Sequence, residues 1–191
     1  FPHFHLQWHI INDCNLRCKH CYQKEYFGQV KFKDAKKIID KYFKTISKWE
    51  MFPEISITGG EPFLHKDLFK IIDYIKKKEK RSIITILTNG TLLNQKKISA
   101  IKKRGVSIQL SLEGSTKEIN DFIRGKGTFD KIINSIRLLK KERILTSIHF
   151  VLSKTNKKDL ENTINLCIKE GVNLFAFSRF VPISENKEMN K

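Results

Sequence analysis

Several residue types that would indicate a particular class of protein are scarce in this sequence. It has only four cysteines in 191 residues, too few for the disulfide framework of a secreted domain. No apolar run approaches the ~18 residues of a membrane span, and the first residues do not have the form of a secretory signal. We therefore expect a cytoplasmic protein with no membrane association, long enough to bury one substantial core.

Acidic residues are also scarce, since 20 Asp and Glu stand against 37 Lys and Arg and give a formal net charge of +17. Such an excess is typical of nucleic-acid binding. However, only seven of the basic residues are arginines, the type best suited to phosphate. The lysines occur in runs such as KKIIDKYFK and IKKKEKR, interleaved with Ile at helical spacing, which is typical of solvated helix faces. A nucleic-acid partner is therefore the less favoured interpretation.

Short β-rich runs alternate with amphipathic runs along the chain. The predicted strands are Leu6–Ile11, Glu54–Thr58, Ile83–Thr88, Val106–Leu112, Thr146–Leu152 and Asn173–Ser178. Two predicted helices have clear apolar stripes, formed by Ala35, Ile38, Ile39, Tyr42, Phe43 and Ile46 and by Leu68, Ile71, Ile72 and Ile75. Gly105 and Gly171 are predicted helix C-caps, and Asn94 and Asn156 predicted N-caps.

This alternation predicts parallel strands joined by right-handed crossovers. A closed eight-unit barrel takes about 250 residues, so a chain of this length has room for about six βα units. The sequence therefore predicts an α/β fold, a partial (β/α)6 TIM-like barrel with outer helices.

Polar residues alternate with apolar ones along several predicted strands, as with Gln7 and His9 in the first and Gln109 in the fourth. Parallel strands covered by helices on both faces read as almost continuous apolar runs. A polar face therefore indicates a wet lumen, in which Gln7, His9, Gln109 and His149 would orient a polar substrate. The alternative is an exposed sheet face.

Three of the four cysteines, Cys14, Cys18 and Cys21, lie within eight residues directly after the first predicted strand. Parallel α/β folds place their ligand sites at this end of the strands. Zinc usually takes four ligands and could use these thiolates with a histidine. A [4Fe-4S] cluster is usually held by four thiolates, so three leave one iron open to an outside ligand. We favour the cluster, with Cys167 as a buried apolar residue on the stripe of Leu160, Ile164 and Ile168.

Four motifs together resemble one family. The stretch CNLRCKHC has the CxxxCxxC form of the radical S-adenosylmethionine (radical SAM) superfamily, and GGEP follows the second predicted strand. TNG follows the third, and SLEGSTKEINDFIRG is similar to the family's SLDG…RG segment, with Glu113 in place of the usual Asp. The resemblance runs from Leu6 to about Pro182.

The resemblance implies cofactor-binding roles for His20, Gly59, Gly60, Glu61, Pro62, Asn89, Ser111, Glu113, Arg124, Ser153 and Arg179. His20 would pack on the adenine, Ser111 would bond the ribose or carboxylate, and Arg124 would pair the methionyl carboxylate. The GGEP glycines would let backbone carbonyls approach the cofactor's amino group, with Glu61 as a charged acceptor held extended by Pro62.

Each of these roles has a plainer alternative. GGEP by itself is also consistent with a tight turn after a strand. His20 could be a solvent-facing loop residue. Arg124 could form a surface ion pair with Asp121 or Glu118. Ser153, Asn156 and Arg179 follow a looser part of the family pattern.

By resemblance, the function is reductive cleavage of S-adenosylmethionine at a [4Fe-4S] cluster, giving a 5′-deoxyadenosyl radical that abstracts a substrate hydrogen. HCYQ with GGEPFLHKDLFKIIDYI is most similar to branches that mature peptides or proteins. A precursor peptide or protein is therefore the expected substrate, and flavodoxin or ferredoxin the expected electron donor. The alternatives are biosynthesis of a small cofactor such as a modified tetrapyrrole, RNA modification, or a zinc-bearing or cluster-bearing binding module without turnover. No catalytic side chain is assigned.

The expected domain is residues 1–182, with residues 183–191 starting a linker or C-terminal extension. The sequence begins at Phe1 rather than Met. Peptide maturases often carry extra clusters in a C-terminal extension, so we expect the native polypeptide to continue beyond Lys191.

Overall fold

A computed structural model describes residues 2–182, and the predicted linker, residues 183–191, lies outside the described residues. Within the described part, six strands form one sheet in the order β1 to β6, and every neighbouring pair is parallel. The strands are β1 His3–Ile11, β2 Phe52–Gly59, β3 Ile83–Thr88, β4 Ser107–Ser111, β5 Thr146–Leu152 and β6 Leu174–Arg179. The predicted partial (β/α)6 barrel is confirmed.

The strand boundaries lie close to the predicted ones because the apolar alternation is strong. Two of the six, β3 and β5, begin and end at the predicted residues. The largest difference is in β1, which starts at His3 because its first residues pair with Phe52 and Pro53 at the start of β2.

Residues 2–182 contain six α-helices. They are α1 Phe32–Lys48, α2 Leu68–Lys78, α3 Gln95–Arg104, α4 Lys117–Arg124, α5 Thr128–Lys141 and α6 Leu160–Glu170. Most of them pack on the outer face of the sheet, while α4 lies near a cavity at the carboxyl ends of the strands. Two helices occupy the crossover from β4 to β5, separated by Gly125 and Gly127, which both have positive φ. Among the helices within residues 2–182, none combines the length and hydropathy that crossing a bilayer demands.

The core lies between the helices and the outward side of the sheet. Ile55, Ile57, Ile84, Ile86 and Ile108 are almost completely buried there. The stripe of α2 is fully buried as predicted, whereas in α1 Ile38 is exposed. In α6 Cys167 is buried as predicted, but Ile168 is 70% exposed and does not share its stripe.

The predicted caps are confirmed at three of four positions. Gly105 and Gly171 end α3 and α6 in the left-handed conformation, and the Asn94 side chain accepts a bond from the Lys97 N–H. Asn156 is different, because a short 3₁₀ turn, Lys157–Asp159, follows it and α6 begins only at Leu160. Its side chain instead accepts from the Ser153 N–H, 2.8 Å away.

Candidate active site

The connection between β1 and α1, residues 12–31, carries the three clustered cysteines. It has no helix or extended strand of its own, and connections this long are usually functional. Backbone bonds of 2.8 Å hold both its ends and its middle: Asn12 N–H donates to Gly28 O, Val30 N–H to Ile10 O, and Lys19 N–H to Ile123 O. We call residues 12–31 the cysteine loop.

The glycines of GGEP are required by the cysteine loop. The N–H groups of Gly60 and Glu61 donate to the carbonyls of Ile11 and Asp13, both at 2.8 Å. A Cβ on Gly60 would lie under 3.0 Å from the backbone oxygens of Asn12 and Asp13. The expected reason for these glycines is access of the cofactor to backbone carbonyls. The structure gives another reason, which is the close approach of two segments of the protein.

Glu61 is completely buried and bonded to protein. Its carboxylate accepts from the N–H groups of Phe63 and Asn89 and from the Thr88 hydroxyl, at 2.7 to 3.0 Å. Burial raises the pKa of Glu61, although these bonds oppose the rise. The structure thus gives Glu61 a different role from the expected charged acceptor, since it joins the ends of β2 and β3. Pro62 starts a 3₁₀ turn and Glu61 is extended, as predicted.

Asn89 connects the end of β3 to the cysteine loop. Its amide nitrogen donates to Asn15 Oδ1 at 2.9 Å and lies 3.9 Å from the Cys14 sulfur. Its carbonyl accepts from the N–H and hydroxyl of Thr91. Asn89 therefore positions the first cysteine from the strand side.

Arg124, Glu113 and His20 form a buried polar group beside Cys18. The guanidinium of Arg124 donates twice to Glu113 Oε1, at 3.2 and 3.3 Å, and its Nη1 lies 3.9 Å from the Cys18 sulfur. The alternative of a surface ion pair with Asp121 or Glu118 is wrong, because Arg124 is only 6% exposed. The second oxygen of Glu113 accepts from the Val151 N–H at 2.8 Å.

The His20 imidazole is largely buried, with Nε2 3.4 Å from Glu113 Oε1, so the solvent-facing alternative is wrong. Burial, Arg124 and His149 lower its pKa to about 3. The ring is therefore neutral near pH 7, so its contact with Glu113 is not an ion pair. Its other nitrogen, Nδ1, is buried without a hydrogen-bond partner within residues 2–182.

A cavity of about 550 Å³ opens at the carboxyl ends of the strands. Thirteen of the predicted residues line it: Cys14, Cys18, Cys21, His20, Gly59, Gly60, Asn89, Ser111, Arg124, Arg179, Gln7, Gln109 and His149. Glu61, Pro62 and Glu113 are buried outside its lining, and Ser153 lines a neighbouring cleft. His9 lies against Tyr22 instead, with ring centroids 6.4 Å apart. The cysteines and the polar strand faces thus share one cavity.

Ten further lining residues were not predicted, among them Tyr22, Thr88 and Phe180. Tyr22 directly follows the cysteine motif and Thr88 is the first residue of TNG, so their positions in the sequence could have indicated them. Phe180 follows β6 and is buried, and no motif marks it.

The residues present fit a three-thiolate cluster with an adjoining cofactor. Within residues 2–182, no three His, Cys, Asp or Glu side chains converge on the position of a single metal ion. Zinc needs such convergence, at about 2.3 Å from each thiolate, whereas cluster cysteines bind different irons. The unpartnered Nδ1 of His20, on a residue that lines the cavity, is a polar atom that a bound cofactor could satisfy.

The cysteine thiols must lose their protons when they bind metal, so metal binding depends on their pKa. Burial raises the pKa of Cys14 and Cys18 above the usual 9.0. Since thiolates rather than thiols bind metals, loading must release these protons.

The radical SAM superfamily profile matches residues 8–167. The chain belongs to the radical SAM superfamily. Members use a [4Fe-4S] cluster together with S-adenosylmethionine. The superfamily match covers both the cysteine loop and the group of Glu113 and Arg124.

Radical SAM relatives of two kinds are similar to this chain. Fe-coproporphyrin III synthase of Methanosarcina barkeri is 30% identical over 95% of the chain and 45% of its own length. The subtilosin biosynthesis protein AlbA of Bacillus subtilis is 29% identical over 91% of the chain and 39% of its own length. The chain therefore spans less than half the length of either relative.

Among solved structures, SuiB of Streptococcus suis bound to S-adenosylmethionine superposes with a TM-score of 0.84. It is 19% identical, and the match covers 100% of this chain and 44% of SuiB. At this identity the likeness establishes the shared fold.

Proposed function

We propose that this chain is the catalytic core of a radical SAM enzyme that matures a peptide or protein. The observation that carries the proposal is the shared cavity, in which Cys14, Cys18 and Cys21 lie beside His20 and Arg124. When bound, the cluster and S-adenosylmethionine supply an electron and then a 5′-deoxyadenosyl radical, which abstracts a hydrogen atom from the substrate. Residues 1–182 are proposed to form this domain, in a cytoplasmic protein reduced by flavodoxin or ferredoxin.

The roles of the chain's own residues follow from their surroundings. The three cysteines hold the cluster, and Asn89 fixes the loop that presents Cys14. Arg124, oriented by Glu113, places a positive charge near Cys18 for the cofactor carboxylate. Neutral His20 offers a flat ring and a free nitrogen to the adenine.

The lumen below this site is proposed to orient the substrate. Gln7, Gln109 and His149 line the cavity from β1, β4 and β5, and none of them carries a fixed charge. Such side chains can hold a polar substrate by hydrogen bonds while the surrounding protein excludes water and competing hydrogen donors.

Two substrate classes are supported by relatives. AlbA is named for the biosynthesis of subtilosin, a bacteriocin, which supports a peptide substrate. Fe-coproporphyrin III synthase has similar identity over more of the chain, which supports a tetrapyrrole as the second candidate. No specific observation favours RNA modification.

The proposal is tested by anaerobic reconstitution with iron and sulfide. We expect about four irons per chain from this span and release of 5′-deoxyadenosine on adding S-adenosylmethionine and a reductant. Replacing Cys14, Cys18 or Cys21 by Ala should abolish both. Cys167→Ala is the matched control and should keep both, because Cys167 is buried in α6.

Two results would contradict the proposal. Stoichiometric zinc without iron uptake would indicate a zinc-bearing module. A full iron complement without 5′-deoxyadenosine would indicate a binding module without turnover.

A further inference from the structure

We propose that a basic cleft beside the main cavity binds a carboxylate group of the substrate. The cleft lies past the ends of β5 and β6 and is lined by Leu152, Ser153, Lys154, Lys157, Arg179, Phe180 and Pro182. We call it the β5–β6 cleft. The inference rests on the proposed function and narrows its substrate.

The β5–β6 cleft adjoins the main cavity directly. It has a volume of about 370 Å³, and it shares Arg179 and Phe180 with the 550 Å³ cavity as common walls. A substrate that reaches from the lumen past β6 would therefore enter it. The cleft is open enough for a group at the edge of a larger molecule.

The charge in the cleft has one sign. Lys154, Lys157 and Arg179 line it, and among residues 2–182 neither Asp nor Glu lines the cleft or the main cavity. Within residues 2–182, none of these three cations has an acidic partner, whereas Lys102, Arg104 and Arg137 on the outer helices are paired. An anionic group would neutralise charge here without displacing an existing ion pair.

The loop that presents the two lysines is fixed by buried bonds. Asn156 is 0% exposed, and its carbonyl accepts from the N–H and hydroxyl of Ser153, at 2.8 and 3.1 Å. Its amide donates to the backbone oxygens of Glu113 and Val151, both at 3.1 Å. The backbone that carries the lysines is therefore held at a fixed place relative to Glu113, so binding does not have to order this loop.

Lysine and arginine side chains with no competing acid suit a carboxylate. Both candidate substrates can supply one, as an acidic side chain of a peptide or as a propionate of a coproporphyrin. The neutral groups of Gln109, Ser111 and His149 would then face the remainder of the substrate.

The test measures binding to the anaerobically reconstituted chain. One arm compares coproporphyrin III with its uncharged tetramethyl ester. The other compares a fluorescent glutamate-containing peptide with its glutamine counterpart. The double variant Lys154→Gln/Lys157→Gln is compared with Lys158→Gln, which removes a neighbouring exposed charge that does not line the cleft.

One of the two ligands, coproporphyrin III or the glutamate-containing peptide, should bind the unmodified protein. The double variant should bind that ligand more weakly, on the order of fivefold to tenfold. Lys158→Gln should change this binding less than twofold, and the uncharged counterpart should not respond to either variant. An equal loss with Lys158→Gln would indicate general attraction to a basic chain, and would overturn the proposal. No binding in either arm, or unchanged binding by the double variant, would overturn it as well.

Iron content and 5′-deoxyadenosine release are measured on the same samples. If iron content and 5′-deoxyadenosine release are normal but the double variant binds the carboxylate as well as the unmodified protein does, only the assignment of the cleft fails. If iron or 5′-deoxyadenosine is absent from the unmodified protein, the proposed function fails first.

Discussion

His149 lies on β5 and is half-buried in the wall of the main cavity. It lines the main cavity, and burial together with Arg124 lowers its pKa, so the ring is neutral near pH 7. Cleavage of S-adenosylmethionine needs the cluster and the cofactor, whereas product formation also needs an oriented substrate. An experiment can therefore distinguish a role of His149 in orienting the substrate from a role in the cofactor site.

We predict that His149→Ala keeps iron content and 5′-deoxyadenosine release but lowers product by about a hundredfold, since misplacing a reacting atom by about 1 Å costs that much. Quantifying 5′-deoxyadenosine and product in the same reaction checks the ratio. His3→Ala is the control, because His3 pairs with Glu54 at the far end of β1. Equal loss of cleavage and product would place His149 in the cofactor site instead.

Single residues were the hardest part of the site to predict. The sequence indicated the three cysteines, because their number and spacing alone point to a cluster. It did not indicate that Glu61 and Glu113 would be completely buried. Each carboxylate has a partner far along the chain, Thr88 for Glu61 at 27 residues and Val151 for Glu113 at 38 residues, and only the fold brings these together.

Gly60 connects two elements, the end of β2 and the cysteine loop. We predict that Gly60→Ala destabilises the protein by about 3 kcal/mol or more and prevents cluster assembly. The added methyl group would collide with the backbone of Asn12 and Asp13, which cannot move aside as a side chain could. Urea unfolding and iron content measure the two effects.

The control for this change is Gly105→Ala at the end of α3. Gly105 has φ +58, so alanine is strained, but nothing lies within 4 Å of the added carbon. About 1 kcal/mol should be lost, with iron binding intact. If both variants load iron equally, contact between GGEP and the cysteine loop is not what positions the cysteines.

Asp121 joins α4 to α5 and so fixes the helix end that carries Arg124. It accepts from the N–H groups of Gly127 and Phe129, at 2.6 and 2.8 Å, and from the side chains of Asn120 and Thr128. Burial alone would raise its pKa, but these bonds hold the pKa below the usual 3.8. The ionised carboxylate therefore stabilises the fold above that pH, and the contribution is lost as pH falls through the lowered pKa.

We predict that Asp121→Asn costs about 1–2 kcal/mol at pH 7, and that the difference from the unmodified protein narrows below about pH 4. Urea unfolding at both pH values measures it. Asp130→Asn, which removes an exposed partner of Lys117, should cost well under 1 kcal/mol at either pH. A loss at pH 7 no larger than that of the control would show that the Asp121 bonds do not stabilise the junction.

The regular elements could be predicted well because strand alternation and helical stripes are local patterns. Strands β3 and β5 match residue for residue. The division of the β4–β5 crossover into two helices was not predicted, because it depends on bonds from Asp121 across a turn rather than on periodicity. The same reason explains Asn156, whose buried side chain bonds across to Glu113.

At the scale of the whole molecule, the core and the site lie on opposite faces of the sheet. The outward face is packed with Ile, while the inward face carries Gln7, Gln109 and His149 in the lining of the main cavity. In the described part, β1 and β6 are the edges of the sheet, so the barrel is open. Stability therefore comes mainly from packing between helices and sheet, and the lumen adds little of it.

The cysteine loop couples cofactor loading to the stability of the whole chain. A ligand that binds only the folded state stabilises it by about 2.7 kcal/mol at a hundred times its Kd. For a chain of this size we predict that S-adenosylmethionine at that concentration raises the Tm of cluster-loaded protein by roughly 5–10 °C. Loading should also protect the loop from trypsin at Arg17, Lys19 and Lys24, because its ends and middle are held by only a few backbone bonds.

Differential scanning calorimetry under nitrogen and mass spectrometry of the tryptic fragments check the two effects. Cys18→Ala is the control, since without the cluster S-adenosylmethionine loses its anchor while His20 and Arg124 stay in the chain. Its Tm should not respond to the cofactor, and its loop should be cut as in metal-free protein. A rise in Tm of equal size with Cys18→Ala would show that the cofactor binds without the cluster, and that His20 and Arg124 suffice to hold it.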